Sequence, residues 1–425
     1  MVGVLRIKGL DENMSYRFSV IEAKTVPEIR ERLSTELVKY VDLLPKSKNA
    51  RILIKPNLNS NMNALTGNTT DLRVLAGVIE FLKSQGYTNL ALAEGTNSGF
   101  YRNNISVIQR LKVDELGRHF GIDVIDLNQC EGVDIPFEDG IMAQVAKPVV
   151  EADFLINIPK LKMHFEVGIT ACLKNLMGTL VGQQNKKKTH ENLCKNILNI
   201  NRKVKPGLHI VDAIFAMEGT GPTRGTPIRM NVMLVGTDPF LLDLACAYLA
   251  DFTPMEVRLL AEAEKQGFVT KEHHDYLRKH PYLTYRKEMQ QPHVNPLVGF
   301  IHSPKRQKYF LKIRNTAFFN AVCNTDWAQE ILFSTGLRQD KFLREELKFE
   351  KLSLNEKCVP NCRICADYCP VSLDLPNGFK ENLNGCIECM YCYSVCPTEA
   401  IDFHGEKGFF SEQEKQYARL IRDIA

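Results

Sequence analysis

The amino-acid sequence has no long apolar run, little net charge and no glycine-rich dinucleotide motif. No stretch of the 425 residues approaches the roughly 18 consecutive apolar residues of a membrane span, and the first eight residues are too short and too charged for a signal peptide. With 54 basic and 50 acidic side chains, the net charge of +4 gives no general field for nucleic acid or anionic membranes. Without Gly-x-Gly-x-x-Gly spacing, a nicotinamide or flavin site is not supported. We therefore expect a cytoplasmic protein that binds any anion locally, with no nucleic-acid partner and no membrane span.

Residues 1–250 alternate short apolar runs with amphipathic stretches, a pattern that predicts an α/β domain. Six runs read as strands: Arg51–Ile54, Asn89–Ala93, Asp123–Leu127, Phe154–Ile158, His209–Ala213 and Asn231–Val235. Helix starts precede or separate them, including the capping box Thr25–Glu28, Thr70-Asp71 and Asp238-Pro239. Strands separated by helices predict a mostly parallel sheet with helices on both faces.

Two further regions follow this domain. Residues 251–350 begin with a capping box at Thr253–Glu256 and are then broken by several prolines, so we expect a mainly helical linker region. A basic segment, residues 304–314, contains Lys305, Arg306, Lys308, Lys312 and Arg314, and fits either a solvated helix face or a docking surface for an acidic partner. Residues 351–425 form a cysteine-rich module, a small ferredoxin-like α+β unit, whose final helix is predicted to be capped at Ser411.

Eight of the 13 cysteines lie between Cys358 and Cys396, and their spacing predicts iron–sulfur ligation. The run from Cys386 to Pro397 has the C-x₂-C-x₂-C-x₃-C-P spacing of bacterial ferredoxins, and the run from Cys358 to Pro370 differs by one extra residue. The fourth cysteine of each run ordinarily binds the other cluster, so we predict two [4Fe–4S] clusters. One is assigned to Cys358, Cys362, Cys365 and Cys396, and the other to Cys386, Cys389, Cys392 and Cys369. The alternative of two zinc ribbons lacks its ligand spacing.

Polar residues follow the predicted strands of the α/β domain. In open α/β sheets, ligands bind in the crevice beyond the carboxyl ends of the strands. The segment Lys160-Leu-Lys-Met-His164, if extended, turns Lys160, Lys162 and His164 to one face and Leu161 and Met163 to the core. We predict catalytic roles for Lys160, Lys162, His164 and Glu94. The predicted substrate-binding residues are Lys55, Asn57, Asp71, Asn157, Lys174, Asn175, Asp212 and Glu218.

Other interpretations of these residues and of two neighbouring stretches remain open. The lysine-rich segment fits a solvated strand edge as well as an anion site. An additional metal would fit His164, Glu94, Asp71, Asp212 and Glu218 if they converge. The glycines between Glu218 and Pro227 suggest a loop that approaches a ligand closely, and Lys186–Lys188 suggests an exposed loop that can cover an anion.

A family resemblance rests on several segments in a fixed order. They are Lys55-Pro-Asn-Leu58, Thr70-Asp71, Glu94-Gly95, Ile156–His164, Cys172–Gly178, Asp212-Ala213, Ala216–Gly219 with Gly221-Pro222, and Asp238. Together they make residues 51–250 resemble the family called domain of unknown function 362 (DUF362), which commonly carries a C-terminal two-cluster ferredoxin module. The resemblance implies an iron–sulfur protein of anaerobic or redox metabolism, but no particular reaction.

Two functions fit the sequence. The first is a ferredoxin-type oxidoreductase, in which the clusters exchange electrons with an anionic small molecule bound in the crevice and with a donor or acceptor protein. The second is a non-enzymatic electron carrier or adaptor that docks a partner redox protein. A lyase or transferase with purely structural clusters is a weaker third possibility.

Overall fold

The computed structural model describes residues 16–292, 316, 325–335, 338, 340–381 and 383–424. The basic segment at 304–314 lies outside the described residues, so its predicted docking role stays a prediction. Among the described helices, none combines the length and the apolar composition needed to cross a bilayer.

The first half of the chain alternates strands and helices. In chain order these are β1 Phe18–Glu22, α1 Val26–Leu37, β2 Ile52–Lys55, α2 Leu72–Ser84, β3 Leu90–Glu94, α3 Ser98–Arg102, α4 Val107–Arg110, α5 Val113–Phe120, β4 Asp123–Asp126, β5 Gly132–Pro136, β6 Met142–Ala146, α6 Lys147–Val150, β7 Phe154–Asn157, β8 Lys160–His164, β9 Gly168–Thr170, α7 Cys172–Asn175, α8 Gly182–Thr189, α9 Leu193–Lys203, β10 Leu208–Glu218, β11 Thr226–Gly236 and α10 Pro239–Leu249. All six predicted strands are present, within a few residues at their ends.

The second half is mostly helical before a small module. Its elements are α11 Arg258–Lys265, α12 Lys271–Lys279, α13 Asp326–Ser334, β12 Lys348–Leu354, α14 Ile364–Asp367, α15 Tyr391–Val395, β13 Ile401–Glu406 and α16 Phe410–Ile424. Strands β12 and β13 pair antiparallel and, with α14 and α15, enclose the cysteine runs. The final helix begins at Phe410, so Ser411 lies inside it rather than at its cap.

The main sheet is mostly parallel, as predicted. Its strand order is β1-β11-β10-β7-β2-β3-β4, and β8 pairs with β10 and with β9. Strands β10, β7, β2, β3 and β4 run parallel, whereas β11 runs antiparallel to both of its neighbours. The carboxyl ends of the parallel strands therefore meet at one edge of the sheet, where Lys55, Glu94 and Asn157 are the last residues of their strands.

Both faces of the sheet are covered. Along β2, Ile52 and Ile54 pack in one apolar cluster with α1 and α2, while Leu53 packs in another with β5, β6 and Ile200 of α9. This alternation is the side-chain period of a strand, and it confirms helices on both faces. The capping box at Thr25 and the side-chain caps at Asp71 and Asp238 begin α1, α2 and α10 as predicted.

The regions beyond residue 250 are not separated from this core. Leu259 and Leu260 of α11 and Leu277 of α12 pack in the same buried cluster as α10, so the predicted boundary at residue 250 falls inside one apolar core. The cysteine module likewise shares a continuous cluster with α2, in which Leu72 packs with Tyr368 and Tyr391.

Candidate functional site

Strand β8 carries the central side chains of the crevice and is fully buried. Lys160, Lys162 and His164 are 0%, 1% and 3% exposed, and Leu161 and Met163 on the opposite face lie in the apolar core. Because β10 and β9 flank this strand, the alternative of a solvated strand edge is wrong. Burying two lysines costs free energy, so the residues around each ammonium decide what it can do.

Lys55 and Glu94 form a buried ion pair between the ends of β2 and β3. Lys55 Nζ lies 2.9 Å from Glu94 Oε2, which also accepts the Leu58 N–H at 3.2 Å. Gly178 lies against this pair: a Cβ there would meet the Glu94 carboxylate and would lie 2.7 Å from Lys55 Nζ. The pairing leaves Lys55 with a structural role, which differs from its predicted contact with substrate.

Lys160 is held in the same way by Asp212. Its Nζ lies 2.7 Å from Asp212 Oδ2, which also accepts the Asp71 N–H at 2.7 Å. The other oxygen, Oδ1, accepts the Ile214 N–H at 3.1 Å, so three donors share the carboxylate. Lys160 and Asp212 thus pair with each other, and their predicted catalytic and substrate-binding roles stay predictions.

Asp71 is also engaged internally. Both of its carboxylate oxygens accept hydrogen bonds from Arg73, at 2.7 to 3.1 Å, and neither side chain is exposed. Glu218 accepts the Gln290 N–H at 2.9 Å and does not pair with a crevice lysine in the described residues. Asp71 is therefore paired with Arg73 and Glu218 with a backbone N–H, and their predicted substrate-binding roles stay predictions.

A chain of three amide side chains ends on Lys162. Asn175 Nδ2 donates to Asn157 Oδ1 at 2.8 Å, and Asn57 Nδ2 donates to Asn175 Oδ1 at 2.8 Å. Asn57 Oδ1 then accepts from Lys162 Nζ at 3.1 Å. Asn157 and Asn175, both predicted as substrate-binding, thus orient Asn57, and through it Lys162.

Lys162 differs from Lys55 and Lys160 because it has no carboxylate partner within the described residues. Its second contact is the Asn68 carbonyl oxygen at 2.6 Å, and within the described residues no acidic group lies within ion-pair distance of it. Burial lowers the pKa of Lys162 well below its ordinary value, and the charge of Lys174 lowers it further. Both side-chain atoms of the buried Asn68 lack hydrogen-bond partners, so the surroundings of Lys162 have unused polar capacity.

Lys174 and His164 add one further cation and one neutral imidazole to the surroundings of Lys162. His164 Nδ1 accepts the Glu166 N–H at 3.1 Å, which assigns the ring proton to Nε2, and the part of the chain that the structure describes offers Nε2 no partner. Burial, with the charge of Lys174, lowers the pKa of His164 well below its ordinary value, so the ring is neutral. Burial also lowers the pKa of Lys174 to about 8.

Asp340 faces this group from a region that the sequence did not implicate. Asn97 Nδ2 donates to Asp340 Oδ2 at 3.2 Å, and burial raises the pKa of Asp340 to about 7 even though the Lys162 charge opposes the shift. The carboxyl therefore holds a proton part of the time at neutral pH. Residues 251–350 gave no motif that pointed to it, and only the fold brings it to β8.

Other predicted features of the crevice differ from expectation. Lys186 is a buried residue of α8, not part of an exposed loop, and donates to Gly95 O at 2.8 Å and Thr96 O at 2.9 Å. Gly221 lies close to the backbone of Met163 rather than beside a ligand space, since a Cβ there would clash with the Met163 carbonyl oxygen. In the described part of the chain, no three His, Cys, Asp or Glu side chains converge closely enough to hold one metal ion. The additional crevice metal is therefore not supported.

The cysteine module has the features of a cluster site. A narrow pocket, partly open to solvent, is lined by Cys369, Cys386, Cys389 and Cys392 together with apolar side chains. Backbone N–H groups donate to cysteine sulfurs, from Glu388 to Cys386 at 3.3 Å, from Leu373 to Cys369 at 3.4 Å and from Ala400 to Cys396 at 3.2 Å. Such bonds are typical of cluster-ligating sulfurs. A cube binds each thiolate through a separate iron, which fits sulfurs that do not converge on one point.

The charges of the cysteines show which of them are neighbours. Besides burial, Cys369 raises the pKa of Cys386 and of Cys389, although it belongs to the other run. Burial, with Cys362 and Cys396, raises the pKa of Cys365 to about 11. The fourth cysteine of each run therefore lies near cysteines of the other run, and the crossed ligand assignment stays a prediction.

Two stretches of the chain match models of known protein families. Residues 52–248 match the family model described as Domain of unknown function (DUF362), and residues 380–402 match the model described as 4Fe-4S binding domain. Both matches agree with the resemblance, and the second supports a [4Fe–4S] cluster and iron–sulfur electron transfer.

Two known proteins show the extent of the similarity. The "Thylakoid-associated protein sll1697" of Synechocystis sp. is 27% identical over 238 residues, which are 51% of this chain and 68% of that protein. The lactate racemase apoprotein from Thermoanaerobacterium thermosaccharolyticum aligns with a TM-score of 0.38 at 13% identity, over 55% of this chain and 57% of the racemase chain. The chain thus spans little more than half of that racemase, and so distant a likeness carries no conclusion about activity.

Proposed function

We propose that this chain, which joins a DUF362 domain to a 4Fe-4S binding domain, is an oxidoreductase that passes electrons between two [4Fe–4S] clusters and an anionic small molecule bound at Lys162. The observation that carries the proposal is the contrast among the three lysines of strands β2 and β8. Lys55 and Lys160 each face a carboxylate, whereas Lys162 is held by two neutral oxygens. An ammonium with neutral partners retains the capacity to bind an anion.

The roles of the crevice residues follow from their contacts. Lys162 and Lys174 provide the positive charge for a carboxylate or phosphate group, and His164 offers its Nε2–H as a neutral hydrogen-bond donor. Asp340, whose pKa is raised to about 7, can give or take a proton beside this group. Asn57 and the two asparagines behind it hold Lys162 in position.

The proposed clusters supply single electrons when they are bound. The cluster assigned to Cys369, Cys386, Cys389 and Cys392, here called the crevice-side cluster, would be held by segments that contact the start of α2 through Tyr368 and Tyr391. The other, the outer cluster, is held by Cys358, Cys362, Cys365 and Cys396, and Val359 between its first two cysteines is 49% exposed. We infer that a partner protein exchanges electrons at the outer cluster. Free thiols that must stay reduced fit a cytoplasmic location.

The test uses the full chain purified without oxygen. Two cubes predict about eight irons per chain. The protein is reduced with dithionite, freed of the reductant and mixed singly with carboxylates and phosphate esters that carry a reducible carbonyl or carbon–carbon double bond, and with anionic pools fractionated from a host extract, while reoxidation is followed by visible absorbance. Reduction of such a group takes one electron from each cluster together with two protons.

We expect one class of anion to reoxidise the clusters, and Lys162→Met to abolish this reaction. Lys203→Met, which removes an exposed lysine of α9, is the matched control and should react normally. The proposal fails if the reduced clusters stay reduced with every pool fractionated from a host extract, or if Lys162→Met reacts like the control.

A further inference from the structure

The buried pair Asp71–Arg73 lies at the start of α2, where substrate binding at Lys162 does not explain it. Both side chains are fully buried, and Arg73 makes three hydrogen bonds to Asp71 and one to the Lys24 carbonyl oxygen at 3.0 Å. A buried ion pair contributes little net stability, because the desolvation of both charges offsets their attraction. The position of the pair therefore suggests a role besides stability.

On one side, α2 contacts the cysteine runs. The Arg73 guanidinium carbon lies 4.2 Å from the centroid of the Tyr368 ring, and Tyr368 directly precedes Cys369. The Leu72 N–H donates to the Tyr391 hydroxyl at 3.3 Å, and Tyr391 lies between Cys389 and Cys392 in sequence. The start of α2 thus touches both segments that supply the crevice-side cluster.

On the other side, the same pair reaches the crevice. The Asp71 N–H donates to Asp212 Oδ2 at 2.7 Å, and that oxygen accepts from Lys160 Nζ at 2.7 Å. Lys160 and Lys162 share one face of β8. A continuous series of contacts therefore joins Lys160, Asp212, Asp71, Arg73 and Tyr368.

We propose that Arg73 is a positioning residue that, balanced by Asp71, sets the reduction potential of the crevice-side cluster. This inference rests on the proposed function and deepens it. A cluster gains one negative charge when it is reduced, and in a buried, weakly screened environment a fixed positive charge favours that form. The negative charge of Asp71 opposes this effect of Arg73, so the reduction potential depends on the two residues together.

The experiment measures the midpoint potential of each cluster in the full iron-loaded chain by redox titration monitored with electron paramagnetic resonance. Asp71→Asn leaves Arg73 uncompensated and should shift one of the two potentials upward. Arg73→Met should shift the same potential downward, and the double variant should return it toward the parent value. Arg73→Lys keeps the charge and should lie near the parent.

Arg110→Met is the matched control. Arg110 is also a buried arginine, paired with Glu346 at 2.6 Å and stacked 4.4 Å from the Phe409 ring centroid, but it contacts neither cysteine run in the described residues. We expect both potentials to be unchanged in this variant. If Arg73→Met does not retain iron, Asp71→Asn alone decides the question.

Unchanged potentials in Asp71→Asn, or shifts as large in Arg110→Met, would overturn the inference. The measurement needs no substrate, so its outcome is independent of the anion test. If the potentials shift as expected but no anion reoxidises the protein, the proposed function is refuted and this inference stands. If an anion reoxidises the protein but the potentials do not shift, this inference is refuted and the proposed function stands.

Discussion

Replacing Lys55, Lys160 and Lys162 by methionine in turn should distinguish the two lysines that stabilise the fold from the one that binds the anion. Lys160→Met leaves Asp212 buried at 0% exposure with two backbone N–H groups but without its cation. Lys55→Met does the same to Glu94, which is 4% exposed. Removing one partner of a buried ion pair costs about 3–5 kcal/mol, because the remaining charge is uncompensated.

Lys162→Met leaves no charge behind. Two neutral acceptors, Asn57 Oδ1 and the Asn68 carbonyl oxygen, lose a donor, and a buried unsatisfied neutral group costs about 1–3 kcal/mol. Methionine also relieves the desolvation of an ammonium whose pKa burial already lowers well below normal. The two effects oppose each other, so the net cost should fall clearly below that of Lys160→Met.

The assay is urea unfolding of anaerobic, iron-loaded protein, followed by circular dichroism, with Lys203→Met as the surface control. We expect Lys55→Met and Lys160→Met to lose most stability, and Lys162→Met to lose less while losing anion binding. A Lys162→Met protein as destabilised as Lys160→Met would show that Lys162 is a structural residue, and the assignment of the site would be wrong.

Three further predictions concern other parts of the structure. Gly178→Ala should destabilise the protein about as much as Lys55→Met, because the added methyl group displaces the Glu94–Lys55 pair, whereas Gly77→Ala, whose closest new contact is a Leu33 methyl group at 3.2 Å, should change the urea midpoint little. The contribution of Asp340 to the free energy of unfolding should fall as pH rises from about 3.8 to about 7, because folded Asp340 keeps a proton that the unfolded chain releases. Asp340→Asn should therefore gain more stability over the parent at about pH 8 than at about pH 5, and an equal gain at both values would contradict the raised pKa. Cys389→Ala should reduce iron from about eight to about four atoms per chain by colorimetric assay, while Cys130→Ala, outside the runs, should leave it unchanged, and equal losses would argue against the assigned ligands.

The sequence predicted the features that depend on local pattern. Apolar periodicity located all six strands, and side-chain oxygens at Thr25, Asp71 and Asp238 located three helix starts. Strand alternation also placed Lys160, Lys162 and His164 on one face, because the period of a strand is fixed by its backbone geometry.

The partners of those side chains could not be predicted in the same way. Lys160 and Lys162 are two residues apart and equivalent in pattern, yet one faces Asp212 and the other faces Asn57 and Asn68. Such partners are distant in sequence and meet only after folding. Asp340 illustrates the same limit, since its role depends on the burial that raises its pKa and on Asn97, 243 residues earlier.

The shared apolar cluster between α2 and the cysteine runs has a consequence for kinetics. Electron carriers on a flexible tether must swing and dock before each transfer, and their rates then vary with solvent viscosity and salt. Here Leu72 of α2 lies in one apolar cluster with Tyr368 and Tyr391 of the module, so the proposed transfer inside the chain should need no such encounter. Glycerol and added salt should slow the exchange with an external partner while leaving the step inside the chain at a constant rate.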